Sequence, residues 1–243
     1  MCKTPIQLFF RSLIATFIAC WAGHVYASWE FDESVVGLDP GSSYRLAFAT
    51  SQTRDAASSE IEDYNSFVDS LGDNIVESDW KVIGSTESVH ARDNTLTNPN
   101  FDGIGVPIFN LAGQRIADNN VDLWDGSIQN SMQTTVRGVG FIPPSPSVWT
   151  GTTAAGISAD NYLGKSPDAM LGGMISTDAS WISHVSWDST VSNAYALYGL
   201  SDILTISSPE SDPVPEPASV ISWTLLGIVG CVGTWWNRCR KAS

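Results

Sequence analysis

The sequence predicts an α+β domain that is rich in loops and has no disulfide bonds, followed by a C-terminal transmembrane helix. A strand-like segment and an amphipathic helix come first, and a long middle section rich in Asn, Asp, Gly and Thr favours loops over helices. Residues 217–237 contain no charged side chain, as a membrane span requires. All four cysteines lie near the chain ends: Cys2, Cys20, Cys231 and Cys239.

The first part of the domain shows two strands and one helix. Residues 44–50 are mostly apolar and aromatic, which favours a strand, and residues 80–84 form a second predicted strand. Between them a helix is predicted to begin near Ser58, because a serine cap and acidic residues of a first turn follow each other there. The apolar residues after this cap lie on one helical face: Ile61, Tyr64, Phe67, Val68 and Leu71.

The later part of the domain is dominated by turns. Residues 85–130 contain only short apolar islands, which predicts long ordered loops with small strands. Two further buried strands are predicted at 147–150 and 193–198. The domain is therefore expected to span 28–206, and the proline-rich residues 207–216 form a linker without a hydrophobic period.

The N-terminus has the pattern of a secretory signal peptide, residues 1–27. Two basic residues precede an apolar stretch at 12–23, and small residues precede the junction of Ala27 and Ser28, where signal peptidase is expected to cleave. A lipoprotein signal that uses Cys20 is the alternative, but the residues around this cysteine fit that motif poorly.

The C-terminal segment has three parts. A Pro-Glu-Pro motif comes first, formed by Pro215, Glu216 and Pro217. The apolar run within 217–243 is long enough, at ~1.5 Å per helical residue, to cross a hydrocarbon core of ~30 Å. Three basic residues lie near the chain end: Arg238, Arg240 and Lys241. The positive-inside rule keeps these residues cytoplasmic, which predicts a single-pass protein with its body outside.

This order of Pro-Glu-Pro motif, span and basic tail resembles the PEP-CTERM sorting signal of Gram-negative bacteria. The resemblance implies export through the inner membrane, brief residence there, and cleavage by an exosortase-type protease. Delivery to the cell surface or to an exopolysaccharide matrix would follow. A plain C-terminal membrane anchor is the alternative interpretation of the same residues.

Four segments of the body carry a second resemblance, namely 106–111, 122–127, 148–152 and 195–198. In motif order they resemble the endostatin-like branch of the C-type-lectin-like folds, which implies a single C-type-lectin-like domain. The body differs from lectin patterns because it has no disulfide cysteine and none of the usual Glu-Pro-Asn or Gln-Pro-Asp triplets that bind sugar. The resemblance therefore transfers no binding site.

The charge of the exported part excludes nucleic acid as a partner. All 26 acidic residues lie between 28 and 216, but only seven basic ones do: Arg45, Arg54, Lys81, Arg92, Arg115, Arg137 and Lys165. Phosphate binding needs clustered Lys and Arg, which this distribution does not provide. Such an excess of acidic residues keeps a protein soluble outside the cell. The alternatives are that these residues bind divalent cations, or that they bind a matrix that cations crosslink.

A candidate calcium site lies in the segment 118–125. Four residues offer oxygen ligands, partly at the alternate spacing that begins a calcium loop: Asp118, Asn120, Asp122 and Asp125. An EF-hand is excluded, because Leu123 stands where glycine should turn the chain and Gln129 where a glutamate should close it. Asx turns and caps are the alternative explanation of these side chains.

The aromatic residues offer one candidate for contact with a ligand. Trp181 and Trp187 flank His184 with the alternation of a strand edge, so that one face could be exposed to a sugar. The remaining tryptophans in strand-like motifs are assigned to the core: Trp80, Trp124 and Trp149.

No catalytic motif is visible in the exported body. It contains two isolated histidines, His90 and His184, and it has no Gly-x-Ser-x-Gly elbow, His-Glu-x-x-His helix or phosphate-binding glycine loop. The sequence therefore predicts a non-catalytic binding or scaffolding module, with extracellular polysaccharide as a candidate partner. Two alternatives stay open: an extracellular hydrolase that acts on polysaccharide through paired carboxylates, and a purely structural matrix protein without a discrete ligand.

Overall fold

The central strand of the domain is β1, Ser43–Ala49, in a computed structural model that describes residues 31–133, 146–184 and 190–208. This strand lies between β3 (Ile108–Asn110), to which it is parallel, and β7 (Ala196–Leu200), to which it is antiparallel. Its residues are buried almost throughout, as expected for a strand that is covered on both faces.

The strands form one mixed sheet that curves into a half-barrel. Its order is β4-β3-β1-β7-β5-β6, while β2 pairs with β7 and β8 pairs with β1. The remaining strands are β2 Lys81–Val82, β4 Arg115–Ala117, β5 Ser147–Trp149, β6 Leu171–Gly173 and β8 Leu204–Thr205. Parallel and antiparallel pairs alternate across β1, β7 and β5, so neighbours in the sheet are distant in the chain.

Hydrophobic residues pack on both faces of the sheet. Successive side chains of a strand point to opposite faces, and β1 accordingly sends Leu46 and Phe48 into one cluster and Ala47 and Ala49 into the other. The first cluster contains the apolar face of the long helix and the indoles of two tryptophans: Trp80 and Trp149. The second cluster contains two further tryptophans: Trp124 and Trp181.

Helices are few in the described part of the chain. The helix α1 spans Ile61–Gly72, whereas α2 (Ala91–Asn94) and α3 (Asn120–Leu123) are single turns. Two short 3₁₀ helices span Glu33–Val36 and Ala179–Trp181.

Several local predictions are confirmed. The strand expected at 44–50 is β1, and the amphipathic helix expected after Ser58 is α1. The predicted serine cap is wrong, because the helix begins at Ile61 and its N-cap is Glu60, without a side-chain cap hydrogen bond. The short strands β2, β5 and β7 lie in or overlap the segments where strands were expected.

The predicted fold class, an α+β, single C-type-lectin-like (endostatin-like) domain, is wrong. The structure is a mixed half-barrel sheet with few helices. The order of motifs along the chain does not determine which strands pair, because pairing depends on hydrogen bonds between distant segments. Thus β1 pairs with β3, which lies more than sixty residues further along the chain, and with β7, which lies about 150 residues further along.

The predicted transmembrane helix at 217–243 lies outside the described residues. Among the residues that the structure does describe, no helix has the length and apolarity to cross a membrane. The signal peptide at 1–27 and most of the linker at 207–216 also lie outside them.

Candidate binding surface

Arg45 is a buried cation at the start of β1. Its exposure is only 4%, in a strand whose other residues are mainly apolar. Its Nη1 atom donates to the carbonyl oxygen of Thr95 at 2.5 Å, and its Nη2 atom lies 3.5 Å from Oδ1 of Asp202. Burial lowers the pKa of the Arg45 guanidinium, while Asp202 and Asp102 act in the opposite direction.

A small cleft opens onto this guanidinium. The cleft, here the Arg45 cleft, has a volume of about 30 Å³ and is lined by Arg45, Asp79, Lys81, Thr95, Leu96, Leu200, Ser201 and Asp202. Strand β2 places Lys81 at its rim, because Lys81 pairs with Leu200 of β7. The Nζ atom of Lys81 lies 3.2 Å from Oδ1 of Asp79. The lining therefore holds two cations, Arg45 and Lys81, each paired with an aspartate that also lines the cleft.

A second, polar cleft lies on the other side of Lys81. It has a volume of about 110 Å³, and its walls include Glu62 and Asp69 of α1 together with Asp79. Its lining holds three acidic residues and one cation, Lys81, which it shares with the Arg45 cleft.

Leu96 holds an unusual conformation at the rim of the Arg45 cleft. Its φ of 53° lies in the left-handed region, which costs a residue with a β-carbon roughly 1–2 kcal/mol. Its side chain is exposed. The turn directly follows the Thr95 carbonyl that accepts from Arg45, so the surrounding contacts hold Leu96 in this conformation.

The segment that follows presents an exposed aromatic ring. This segment, residues 95–107, connects α2 to β3 and is called the Phe101 loop; the Phe101 side chain is 85% exposed. Ile104 in the same loop and Val121 in α3 are exposed as well. Because the backbone amide of Asn120 donates to the Ile104 carbonyl at 2.8 Å, these two apolar side chains lie on neighbouring segments.

Polar side chains stabilise the Phe101 loop. The backbone amide of Asn98 donates to Asp102 Oδ2 at 2.8 Å, and the Asn98 side chain donates to Asp93 Oδ1 at 2.5 Å. The amide of Phe101 in turn donates to the Asn98 carbonyl. The Asn120 side chain donates to the Gly103 carbonyl at 3.0 Å. The loop thus presents Phe101 from a backbone that hydrogen bonds hold in place.

The residues of the candidate calcium site lie close together, but they have partners within the chain. Asp118 Oδ1 accepts from Arg115 at 2.7 Å, and this contact is the main cause of the lowered pKa of Asp118. Asp122 Oδ2 accepts from the Asp118 amide and from Gln129, and Asp125 accepts from Ser127. The fourth residue, Asn120, is buried. Within the described ranges, no group of three or more His, Cys, Asp or Glu residues could hold a metal ion.

Trp181 is fully buried, contrary to the exposed face expected for it. Its ring lies between those of Trp124 and Tyr198, with ring centres 6.2 and 5.8 Å away. The segment Ala179–Trp181 forms a 3₁₀ turn and not an edge strand, and this turn directs the Trp181 side chain into the core. His184 is exposed and pairs with Leu171 in an isolated bridge, and Trp187 lies outside the described residues.

His90 contacts Ser158, but the geometry does not activate the serine. Nδ1 of His90 accepts from the Ser158 backbone amide at 3.0 Å and lies 2.9 Å from its hydroxyl. That hydroxyl donates to the Thr86 carbonyl at 2.5 Å. Nδ1 already accepts a hydrogen bond from the amide, and the hydroxyl proton is directed at a carbonyl oxygen. The pair therefore links two loops.

The predicted sorting and cleavage residues lie outside the described part of the chain. These are Ala27, Ser28, Pro215, Glu216, Pro217, Arg238, Arg240 and Lys241. No protein-family model matches the chain, and no curated protein matches it.

The sequence interpretation missed the Arg45 cleft and the Phe101 loop. The sequence did contain a signal for Arg45, namely a charged residue within an apolar strand. A charged residue is rarely buried without a partner, so its position indicated an interaction with another part of the chain. The signal for Phe101 was a single aromatic residue within Asn98–Gly105, a stretch otherwise typical of exposed turns.

Proposed function

We propose that the chain is an exported, exosortase-sorted protein of the cell surface or exopolysaccharide matrix, and that its body is a non-catalytic binding or scaffolding module. The observation that carries the binding role is the 85% exposed ring of Phe101 on a hydrogen-bonded loop. An aromatic ring supplies a large apolar face at a small cost in conformational entropy, and a fixed loop lowers that cost further. Extracellular polysaccharide is the ligand class that suits such a surface in a matrix protein.

The proposed location rests on the two ends of the chain. A signal peptide with cleavage between Ala27 and Ser28 begins export, and the basic tail keeps the chain end in the cytoplasm. The inner membrane, signal peptidase and an exosortase-type protease are the partners of this stage. The Pro-Glu-Pro motif directs the final cleavage that releases the body outward.

Binding is tested with the full-length protein, purified in detergent, and the extracellular polysaccharide of the bacterium that produces it. Saturable binding is expected, and Phe101→Ala should weaken it by up to about tenfold, because an aromatic stacking contact is worth roughly 0.5–1.5 kcal/mol. Ile175→Ala is the matched control, since it removes an exposed apolar side chain outside the Phe101 loop. Release of shortened sugars would instead identify a hydrolase, and absence of saturable binding would favour a purely structural matrix protein.

Processing is tested by the mass of the surface-displayed protein in a host that has an exosortase. We expect a product that lacks the residues beyond about Pro217, and we expect alanine substitution of Pro215, Glu216 and Pro217 to retain the tail. Pro213→Ala is the control in the same linker. An intact tail on the wild-type surface protein would show a plain anchor.

A further inference from the structure

We propose that the Arg45 cleft binds the carboxylate of a uronic acid residue in an acidic polysaccharide. This inference rests on the proposed binding function and names its ligand chemistry. Its basis is a buried guanidinium, a second cation at the rim, and a small cleft lined by the first residues of the loop that carries the exposed aromatic ring.

The guanidinium of Arg45 is placed to bind an anion. Only 4% of Arg45 is exposed, whereas the side chain of its acidic partner Asp202 is 58% exposed. The 3.5 Å contact between them is longer than the 2.7–2.9 Å that is usual for a charge-assisted bond. A planar guanidinium favours a carboxylate that it can bind through two nitrogen atoms. A ligand carboxylate would therefore give the guanidinium a closer anionic partner than Asp202.

Lys81 adds the second cation. It stands at the rim of the cleft with its side chain partly exposed, and its partner Asp79 is more exposed still. An exposed pair of this kind contributes little to stability and exchanges readily with solvent. Lys81 can consequently turn from Asp79 to an incoming carboxylate without disturbing the fold.

The cleft is large enough for a single small functional group but too small for a whole sugar ring. A volume of about 30 Å³ is two to three times the roughly 10–15 Å³ that a cavity needs to hold one water molecule. A carboxylate fits this space, whereas the sugar ring that carries it must remain outside, over the exposed rim at Leu96.

The cleft and the aromatic ring belong to the same part of the surface. Thr95 and Leu96 line the cleft and also begin the Phe101 loop. Asp102, the neighbour of Phe101, is close enough for its charge to act on Arg45. A polysaccharide whose carboxylate enters the cleft therefore passes along the loop that carries Phe101, which allows charge recognition and stacking by one chain.

The test measures binding of oligogalacturonate to the full-length protein in detergent and EDTA, beside the same oligosaccharide with its carboxylates reduced to alcohols. We expect the acidic form to bind about tenfold more tightly, as a charge-assisted hydrogen bond predicts. Lys81→Met should remove most of this preference, and added salt should weaken it. Lys165→Met is the matched control, an exposed lysine outside the cleft. Arg45→Lys, checked for folding by its melting curve, should reduce the preference as well.

Equal binding of the two oligosaccharides would overturn the inference. A preference for the acidic oligosaccharide that appears in calcium but not in EDTA would also overturn the inference. Calcium ions that bridge the ligand to the acidic protein surface would then explain the preference. Equal competition by poly-glutamate would assign the cleft to acidic peptides instead. If the native polysaccharide still binds and Phe101→Ala weakens it, only the carboxylate inference fails. If the native polysaccharide does not bind either, the proposed function fails with it.

Discussion

The indole of Trp80 packs directly against Gly72, the last residue of α1, and leaves no space for a β-carbon there. The Trp80 amide also donates to Asp69 of α1, and its ring meets Phe48 edge-on with centres 5.0 Å apart. Trp80 immediately precedes β2, the strand that holds Lys81. The contact between Trp80 and Gly72 thus fixes the helix, the sheet and the rim of the Arg45 cleft relative to one another.

We expect Gly72→Ala to lower the free energy of unfolding by about 1–3 kcal/mol, because the new methyl group overlaps the Trp80 ring. Without this overlap, alanine in a helix would stabilise the protein by up to about 1 kcal/mol relative to glycine. Gly37→Ala is the control. A β-carbon at Gly37 meets no atom within 4 Å, but the residue has a φ of 64°. The loss in unfolding free energy of this variant therefore reports backbone strain alone. Urea denaturation measures both, and a Gly72→Ala protein as stable as wild type would contradict the prediction.

The two buried tryptophans Trp149 and Trp181 should respond differently to replacement by phenylalanine. The Trp149 ring nitrogen donates to the carbonyls of Arg54 and Asn193, at 3.1 and 3.3 Å, whereas that of Trp181 has no partner among the described residues. Both replacements lose core volume, but only Trp149→Phe also removes hydrogen bonds, since the Trp181 ring nitrogen makes none among the described residues. Its loss in unfolding free energy should be larger by about 1 kcal/mol. Equal losses in urea denaturation would contradict this.

Acid should destabilise the protein below the ordinary aspartate pKa of 3.8. Hydrogen bonds from Arg115 lower the pKa of Asp118, and hydrogen bonds from Ser180 lower that of Asp178. The unfolded chain therefore takes up protons first, so the stability due to these groups is present above pH 3.8 and is lost as the pH falls through the lowered folded-state values. Asp118→Asn should reduce the slope of unfolding free energy against pH in this range. An unchanged slope would show that Asp118 does not contribute.

Calcium in place of EDTA should leave the melting temperature unchanged. Asp118, Asp122 and Asp125 accept hydrogen bonds within the chain, and a calcium ion would have to replace these contacts. Magnesium at the same concentration controls for ionic strength. A rise in melting temperature with calcium that Asp118→Asn abolishes would support the calcium site that the sequence suggested.

Local structure in this chain follows closely from local sequence. The apolar segment at 44–50 forms β1. Tyr64, Val68 and Leu71 form the buried apolar face of α1, and Ile61 packs against the same core while partly buried. Both outcomes depend on side chains within about four residues of each other, so short-range periodicity is sufficient to predict them.

What the sequence by itself determined is the local elements and the acidic charge, while the address at the two chain ends stays a prediction. Only the tertiary structure decided the strand pairing, the burial of Trp181 and the meeting of Arg45 with Lys81. Arg45 and Lys81 lie 36 positions apart and come together because β1 and β2 both pair with Leu200 of β7. Contacts of this kind depend on hydrogen bonds between distant segments and on the packing of two cores, which no local pattern records.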